Sequence, residues 1–366
     1  MKKAVILIND TTYAFNLRGA IIEKLIREKF EVVVVGELLN YQDELNAMGT
    51  KLVGVKTRRH GTNPFSDFQL MLTYKKILKD ENPDIVLTYN IKPNVYGGIV
   101  CQQLKIPYIP NVTGLGTPVE TPGRLQRLTI QLYKIGVANS ACIFFQNNAN
   151  RTFFEQHHMF KNNIRTQVLP GSGVDLTKYP LLPWPETEKV HFLFAARVMK
   201  EKGIDLFLAA ARKFSNENII FDVCGPCDDE NYKYILNNEK CIVYHGEQKD
   251  LLPFYKDCSC FLYPSYYPEG MSNVLLEAAA SGRPVIAANR AGCRETLDDG
   301  VTGFLVPVND EEAVLAATKK ILEMSVEERK FMGQCGHKKI QNEFDRELVV
   351  QAYWNEIQKI LGVSEQ

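Results

Sequence analysis

Short, largely apolar runs recur along this chain, separated by stretches of helical periodicity, and that alternation leaves few folds open. In the first half the runs are Val5–Ile8, Val32–Val35, Leu52–Val55, Ile85–Thr88, Tyr108–Pro110 and Ile143–Phe145. Helical patterns fall between them at Leu17–Arg27, Asp67–Lys79, Val95–Gln103 and Gly123–Val137. The second half repeats the theme, with runs at His191–Ala195, Ile219–Cys224, Ile242–Tyr244, Ser259–Leu262, Val285–Ala287 and Gly303–Val306. Strands that are apolar on both faces and alternate with helices belong to parallel sheets covered on both sides. Such sheets bind ligands beyond the carboxyl ends of their strands.

The expected architecture is therefore α/β, with two Rossmann-like domains facing a cleft. Leu169–Pro185 carries four prolines and two glycines and reads as an interdomain linker. The first domain is expected over residues 1–170 and the second over 186–344. Residues 345–366 are expected as a final helix packing back on the first domain. Ser325 and Glu328 read as a capping box, and Asp345 as the cap of that last helix.

At 366 residues the chain is long enough for two ordinary domains. Lys+Arg and Asp+Glu are 43 each, so no global charge draws it to nucleic acid. The apolar run after Met1 ends at Asn9-Asp10, too short for a signal peptide, and no run reaches membrane-spanning length. A cytoplasmic location is expected. Nine cysteines in no scaffold-like spacing read as reduced thiols.

The richest chemistry lies between Pro264 and Pro307. An apolar run stops at Pro264, a turn-rich segment ends in Glu269-Gly270, and Ser272-Asn273 stand where a helix cap would stand. The helix runs from Val274 to Ala280 and ends at Gly282. Glu269 and Glu277 sit eight residues apart, one before the helix and one within it. A helix N-terminus offers free N–H groups to a phosphate, and carboxylates beside it can accept hydrogen bonds from sugar hydroxyls. Upstream, Arg197 and Lys202 lie five apart in a turn ending at Gly203, a pair of cations suited to phosphate oxygens. A solvated basic loop is the alternative for that turn.

These residues resemble a known family. E-x7-E after a strand, preceded in sequence by R-x4-K-G, is similar to the family 4 retaining glycosyltransferases of GT-B fold. The likeness runs from about Pro170 to Leu305. It implies that Arg197 and Lys202 bind the donor diphosphate, that Glu277 holds the ribose hydroxyls and that Glu269 contacts the donor sugar. It also implies that the backbone near Gly270, Met271, Ser272 and Asn273, and Gly225 at a strand end, line the donor site. Retention is likewise implied by the family. No D-x-D occurs in the chain. With two cations and a helix terminus to neutralise the leaving group, transfer without a metal or other cofactor is expected.

Cys224-Gly-Pro-Cys227 matches a dithiol redox motif, but it ends a strand of this pattern and reads better as part of the donor site. Cys224, Cys227, Cys241, Cys258 and Cys260 could also suggest zinc, but Cys258 and Cys260 alternate within a strand and read more simply as buried small apolar residues.

In the first half, Thr88–Asn94 and Asn111-Val-Thr-Gly-Leu-Gly116 resemble a bacterial subgroup that elongates lipid-linked glycans for capsule, O-antigen or protein glycosylation. The resemblance implies an undecaprenyl-diphosphate-linked acceptor, with Asn16, Arg18, His60, Asn63, Lys92, Asn94, Thr113 and Gly114 on the acceptor side. Many members carry His-Gly where this chain has Thr113-Gly114, and threonine cannot act as a base at neutral pH. A UDP-sugar 2-epimerase of the same fold and a non-catalytic sugar-nucleotide binder are the competing readings.

Residues 122–137 form one further feature. Leu125, Leu128, Leu132 and Ile135 recur at helical spacing beside Arg124, Arg127 and Lys134, with no acidic residue from Thr121 to Ser140. Such a helix either lies peripherally on an anionic bilayer or packs its stripe on the sheet.

Overall fold

Every pairing between strands is parallel. The computed structural model describes residues 1–56, 64–116 and 119–362. The chain divides into two units, Met1–Ser172 with Glu347–Gln366, and Gly173–Arg346.

The first unit contains β1 (Lys3–Asp10), α1 (Thr11–Arg27), β2 (Glu31–Glu37), α2 (Gln42–Ala47), β3 (Lys51–Gly54), α3 (Pro64–Glu81), β4 (Ile85–Tyr89), α4 (Gly98–Leu104), β5 (Tyr108–Val112), α5 (Arg124–Val137), β6 (Cys142–Phe145), α6 (Asn148–Gln156) and β7 (Arg165–Val168). Its seven strands lie in the order β3-β2-β1-β4-β5-β6-β7. Alternate strand residues feed opposite faces. Ala4, Ile6 and Ile8 pack on one face with α1, and Val5 and Leu7 pack on the other with α3 and α4.

The second unit contains β8 (Val190–Ala195), α7 (Ile204–Phe214), β9 (Ile219–Cys224), α8 (Glu230–Asn238), β10 (Val243–Tyr244), α9 (Leu252–Asp257), β11 (Cys260–Tyr263), α10 (Asn273–Ala280), β12 (Val285–Ala288), β13 (Gly303–Val306), α11 (Glu311–Glu323) and α12 (Val326–Glu343). The last helix, α13 (Arg346–Leu361), buries Val349, Tyr353, Trp354 and Ile357 in the core of the first unit. The second sheet runs β10-β9-β8-β11-β12-β13, so its strand order reverses between β8 and β11. The loops that follow those two strands stand at the switch point, where doubly wound sheets bind ligands.

Several local readings differ from the sequence. Leu169 packs in the core of the first unit, but from Gly173 on the segment expected as a linker is built into the second. Val174 and Tyr179 are core residues there, and Arg283 Nη2 donates to the Pro183 carbonyl at 2.6 Å. Val174 N–H bonds the Phe344 carbonyl and Arg346 N–H bonds the Val174 carbonyl, so the entering and leaving strands of the chain are tied together in that unit. Helix α1 starts six residues before the expected Leu17, because Asp10 ends β1 and its carboxylate accepts the Tyr13 N–H at 3.0 Å. Helices α2 and α6 and the edge strand β7 were not expected. The helix expected to open at Val95 begins instead as a wider turn, Pro93–Gly97, before α4. The capping box at Ser325 and Glu328 forms in both directions.

Helix α5 settles the question of its stripe. Its buried face is Thr129, Ile130, Tyr133, Gly136 and Val137, and Leu125, Leu128 and Ile135 point outward. Of the stripe, Leu132 packs against the core and the other three residues do not.

Candidate functional site

Two loops at the switch point of the second sheet bring the sequence-distant candidates together. The turn after β8 carries Arg197 and Lys202 and closes at Gly203, whose φ is +84°. A Cβ there would meet the Pro264 carbonyl oxygen at 2.5 Å. Only glycine lets this turn lie against the end of β11. The result is that Lys202 reaches the loop after β11 and donates from Nζ to Glu269 Oε1 at 2.6 Å. Tyr263 Oη donates to the same oxygen at 2.8 Å. Burial works against the Lys202 charge, but Tyr263 and Glu269 outweigh it and hold the ammonium above its ordinary pKa. The Lys202 ammonium also lies 4.7 Å from the centre of the Tyr267 ring. Arg197 is exposed and makes no side-chain hydrogen bond or ion pair with the described residues.

The start of α10 is chemically unfinished. Ser272 stands at the N-cap position with an extended backbone, and its N–H donates to the Gly292 carbonyl at 2.8 Å. Its side chain makes no capping bond, contrary to the sequence reading. Ser272 Oγ and Asn273 Oδ1 are buried without a hydrogen-bond partner among the described residues. The N–H groups of Asn273, Val274 and Leu275 likewise have no acceptor among the described residues. Unpaired buried polar atoms are costly, so such a cluster marks a place that a polar ligand completes. Gly270 and Met271 are buried beside it.

Glu277 lies one turn into α10. Tyr255 Oη donates to its Oε2 at 3.2 Å. Burial pushes the Glu277 carboxyl up to about 7, against the pull of Tyr255, Lys178 and Arg346. Gly225, after β9, has φ +136°, and a Cβ there would fall 1.8 Å from the Ala196 carbonyl oxygen. Backbone packs against backbone at that strand end. Cys224 and Cys227 are buried, and burial pushes the Cys224 thiol up to about 12, which suits packing and not redox exchange.

The candidates in the first unit are less uniform. Thr113 and Gly114 are partly exposed at the end of β5. Lys92 Nζ is paired with Asp67 at 2.9 Å. Asn94 is fully buried: it accepts from Thr88 Oγ1 at 2.7 Å and donates to the Asn111 carbonyl at 2.8 Å. Its position ties β4 to β5 and corrects the expectation of an acceptor contact. Arg18 is almost wholly buried, with its guanidinium 4.4 Å from the centre of the Tyr89 ring. Asn16 is half-buried on α1. His60 and Asn63 lie outside the described residues.

Two family models match the chain. One, described as "Glycosyl transferases group 1", covers residues 182–339, and the other, "Glycosyl transferase 4-like", covers residues 4–147. The chain is similar to the group 1 glycosyl transferases over its second unit and to the 4-like transferases over its first.

This transferase is 26% identical over 308 residues to the N,N'-diacetylbacillosaminyl-diphospho-undecaprenol alpha-1,3-N-acetylgalactosaminyltransferase of Campylobacter jejuni, covering 79% of this chain and 81% of that one. It is 24% identical to the UDP-Gal:alpha-D-GlcNAc-diphosphoundecaprenol alpha-1,3-galactosyltransferase of Escherichia coli, covering 83% of each. Its fold is that of Anabaena HepE, solved with UDP and glucose, with a TM-score of 0.78 at 16% identity over 98% of this chain and 100% of that one. The fold is GT-B and the protein is a glycosyltransferase, so the epimerase and binding-only readings fall away. The sequence reading of this transferase missed Tyr255 and Tyr263, whose hydroxyls hydrogen-bond its two carboxylates. The one signal for Tyr263 was its place at the carboxyl end of an apolar run.

Proposed function

We propose that the protein transfers a sugar from a UDP-sugar to a hydroxyl of an undecaprenyl-diphosphate-linked glycan, with retention, during surface polysaccharide or glycan synthesis. The observation that carries the donor half is the unfinished start of α10. Free N–H groups, two buried oxygens without partners and the Lys202–Glu269 pair converge there. In this reading Arg197, Lys202 and the α10 N–H groups hold the diphosphate, with Gly225 lining the same strand end. Glu277 takes the ribose hydroxyls, and Glu269 with the backbone at Gly270, Met271, Ser272 and Asn273 meets the donor sugar. The nucleotide and the lipid diphosphate are supported by the printed activity of the E. coli relative, and the acceptor also by that of the C. jejuni relative.

The reaction breaks the bond between the anomeric carbon and the diphosphate oxygen, and that oxygen keeps the electron pair. The acceptor oxygen bonds the same face of the anomeric carbon, and its proton passes to the departing phosphate. The protein's task is to stabilise charge on that phosphate and on the oxocarbenium-like sugar. Two cations and a helix terminus supply the first, and the Glu269 carboxylate supports the second, so no metal is required. The acceptor meets the first unit, with Thr113, Gly114, Lys92, Asn16 and Arg18 as its nearest candidates. Its lipid places the reaction at the cytoplasmic face of a membrane.

A UDP-release screen over UDP-sugars, with and without polyprenyl-diphosphate sugars, tests this reading. Release that depends on such an acceptor, with an α-linked product from an α-linked donor by NMR, is expected. Release of UDP that ignores the acceptor, or an inverted product, overturns the corresponding half.

A further inference from the structure

The amino ends of the second sheet hold a feature that the donor site does not use. A cavity of about 310 Å³ lies there, between Leu181, Pro183 and Trp184, which precede β8, and Lys330 and Gln334 of α12. Gly282 and Arg283, in the turn from α10 to β12, complete its wall. Leu182 N–H donates to the Ser281 carbonyl at 3.3 Å and fixes the incoming segment on that turn. Donor site and cavity stand at opposite ends of α10, whose 8 residues span about 12 Å.

Arg283 is wholly buried. Its Nε donates to the Tyr255 carbonyl at 2.6 Å, and its Nη2 donates to the Pro183 carbonyl at 2.6 Å and the Lys256 carbonyl at 3.3 Å. Tyr255 and Lys256 lie in the last turn of α9, so this part of the guanidinium closes a helix C-terminus. That structural role leaves Nη1 unused. It is buried and has no hydrogen-bond partner among the described residues. No carboxylate among them forms an ion pair with Arg283, and Asp257 reaches it only through space. Burial pulls the guanidinium below its ordinary pKa, which marks a charge left under-compensated.

A buried cation with open donors calls for an anion. The cavity supplies the rest of a site for one. Lys330, whose contact with the exposed Glu327 is loose at 3.8 Å, brings a second positive charge. Gln334 brings an amide. Trp184, whose ring centre lies 5.4 Å from the Arg283 guanidinium carbon, brings a flat apolar wall that Leu181 and Pro183 continue. The arginine fork suits phosphate oxygens, and two cations together suit the near-double charge of a phosphate monoester. The volume is that of a small-molecule site.

We propose that this cavity binds a small phosphate monoester carrying an aromatic or apolar body, with Arg283 and Lys330 on the phosphate and Trp184 against the body. It shares no residue with the donor site, so it stands or falls independently of the transfer reaction.

The test titrates phenyl phosphate into the full chain, with and without excess UDP, beside inorganic phosphate and phenol. Trp184 and Trp354 are the two tryptophans of the chain, and Trp354 is buried in the first unit. A change in indole emission that Trp184→Phe removes therefore reports the cavity, and calorimetry gives the affinity. Phenyl phosphate should bind saturably in the presence of UDP, inorganic phosphate more weakly, and phenol not at all. Arg283→Gln should abolish binding. Because Arg283 also holds α9, Lys330→Glu keeps the test decisive: its side chain is half-exposed, and melts followed by circular dichroism verify its fold. That variant should bind phenyl phosphate at least roughly ten-fold more weakly, as for the loss of one charge-assisted hydrogen bond. Binding that excess UDP displaces belongs to the donor site and overturns the proposal. So does the absence of saturable binding by the wild type, equal binding of phenol, or an affinity unchanged in Lys330→Glu.

Discussion

Lys202 and Glu269 are joined by a 2.6 Å hydrogen bond across 67 residues of chain. Each comes from one of the two loops at which the strand order of its sheet reverses. The pair makes the two loops a single device, because moving either residue leaves a largely buried charge on the other.

Lys202→Ala is expected to lower kcat by roughly 10²–10³-fold, the ~2–4 kcal/mol typical of losing one preorganised donor to a developing anion. Arg197→Ala should fall in the same direction. In a double-mutant cycle, Lys202→Ala with Glu269→Gln should cost less than the two single losses summed, since the second change relieves the charge orphaned by the first. UDP release with the native donor measures this. Near wild-type turnover in either cation variant refutes the phosphate assignment.

Glu277 makes donor binding depend on pH. Burial raises its carboxyl in the folded state to about 7 from the ordinary 4.5. Ribose hydroxyls donate to the ionised form, so donor affinity should rise as pH climbs through about 7, and Glu277→Gln should flatten that profile. The effect on stability runs the other way. Between about 4.5 and about 7 the folded state holds a proton that the unfolded state has lost, so this group's contribution to stability falls as pH rises through that window. Glu277→Gln should therefore melt above the wild type at pH ~8 and level with it near pH ~4, since the neutral amide escapes the ionisation of Glu277. Calorimetric titration at several pH values, with parallel melts, decides both.

Gly225→Ala should lower the melting temperature sharply. A positive φ costs an L-residue about 1–3 kcal/mol, and here the added carbon also meets the Ala196 carbonyl at 1.8 Å. Gly300→Ala is the control, since its φ is +73° but nothing lies within 4 Å of the new carbon. Equal melts for the two variants would show that the strand ends after β8 and β9 are not held as close as described.

Chelation should leave turnover intact. The two cations and the α10 N–H groups are arranged to take the diphosphate charge, and the chain has no D-x-D. Loss of activity in EDTA, restored by Mn²⁺, contradicts metal-independent transfer.

The alternation of buried runs and helices was legible because fully covered parallel strands leave no polar face to disguise them. That Lys202 and Glu269 lie in loops that meet was legible in part, since both motifs follow apolar runs that read as strands. What escaped depended on three-dimensional choices that spacing does not encode. Helix α5 is apolar on two faces, Leu125-Leu128-Leu132-Ile135 and Ile130-Tyr133-Val137, and periodicity cannot say which one packs. The close approach allowed by Gly136, where a Cβ would sit 2.7 Å from Val95 Cα, decides it. Asn94 was misread because a buried asparagine tying two strands and a ligand-facing one look alike in sequence. Asp10 was missed as a cap because it is also the last residue of β1.

The tie between Val174 and the 344–346 segment means that the second unit begins and ends at one point, as an insertion interrupting the first. The first unit then lacks Val349, Tyr353, Trp354 and Ile357 until α13 is made. During synthesis the later-made unit has all its strands before the earlier-made one can close its core. Some 170 residues of nearly complete sheet must wait for a single helix to finish covering the face that α1 covers in part. Truncation before Arg346 should accordingly leave a soluble, cooperatively melting second unit and an aggregation-prone first one.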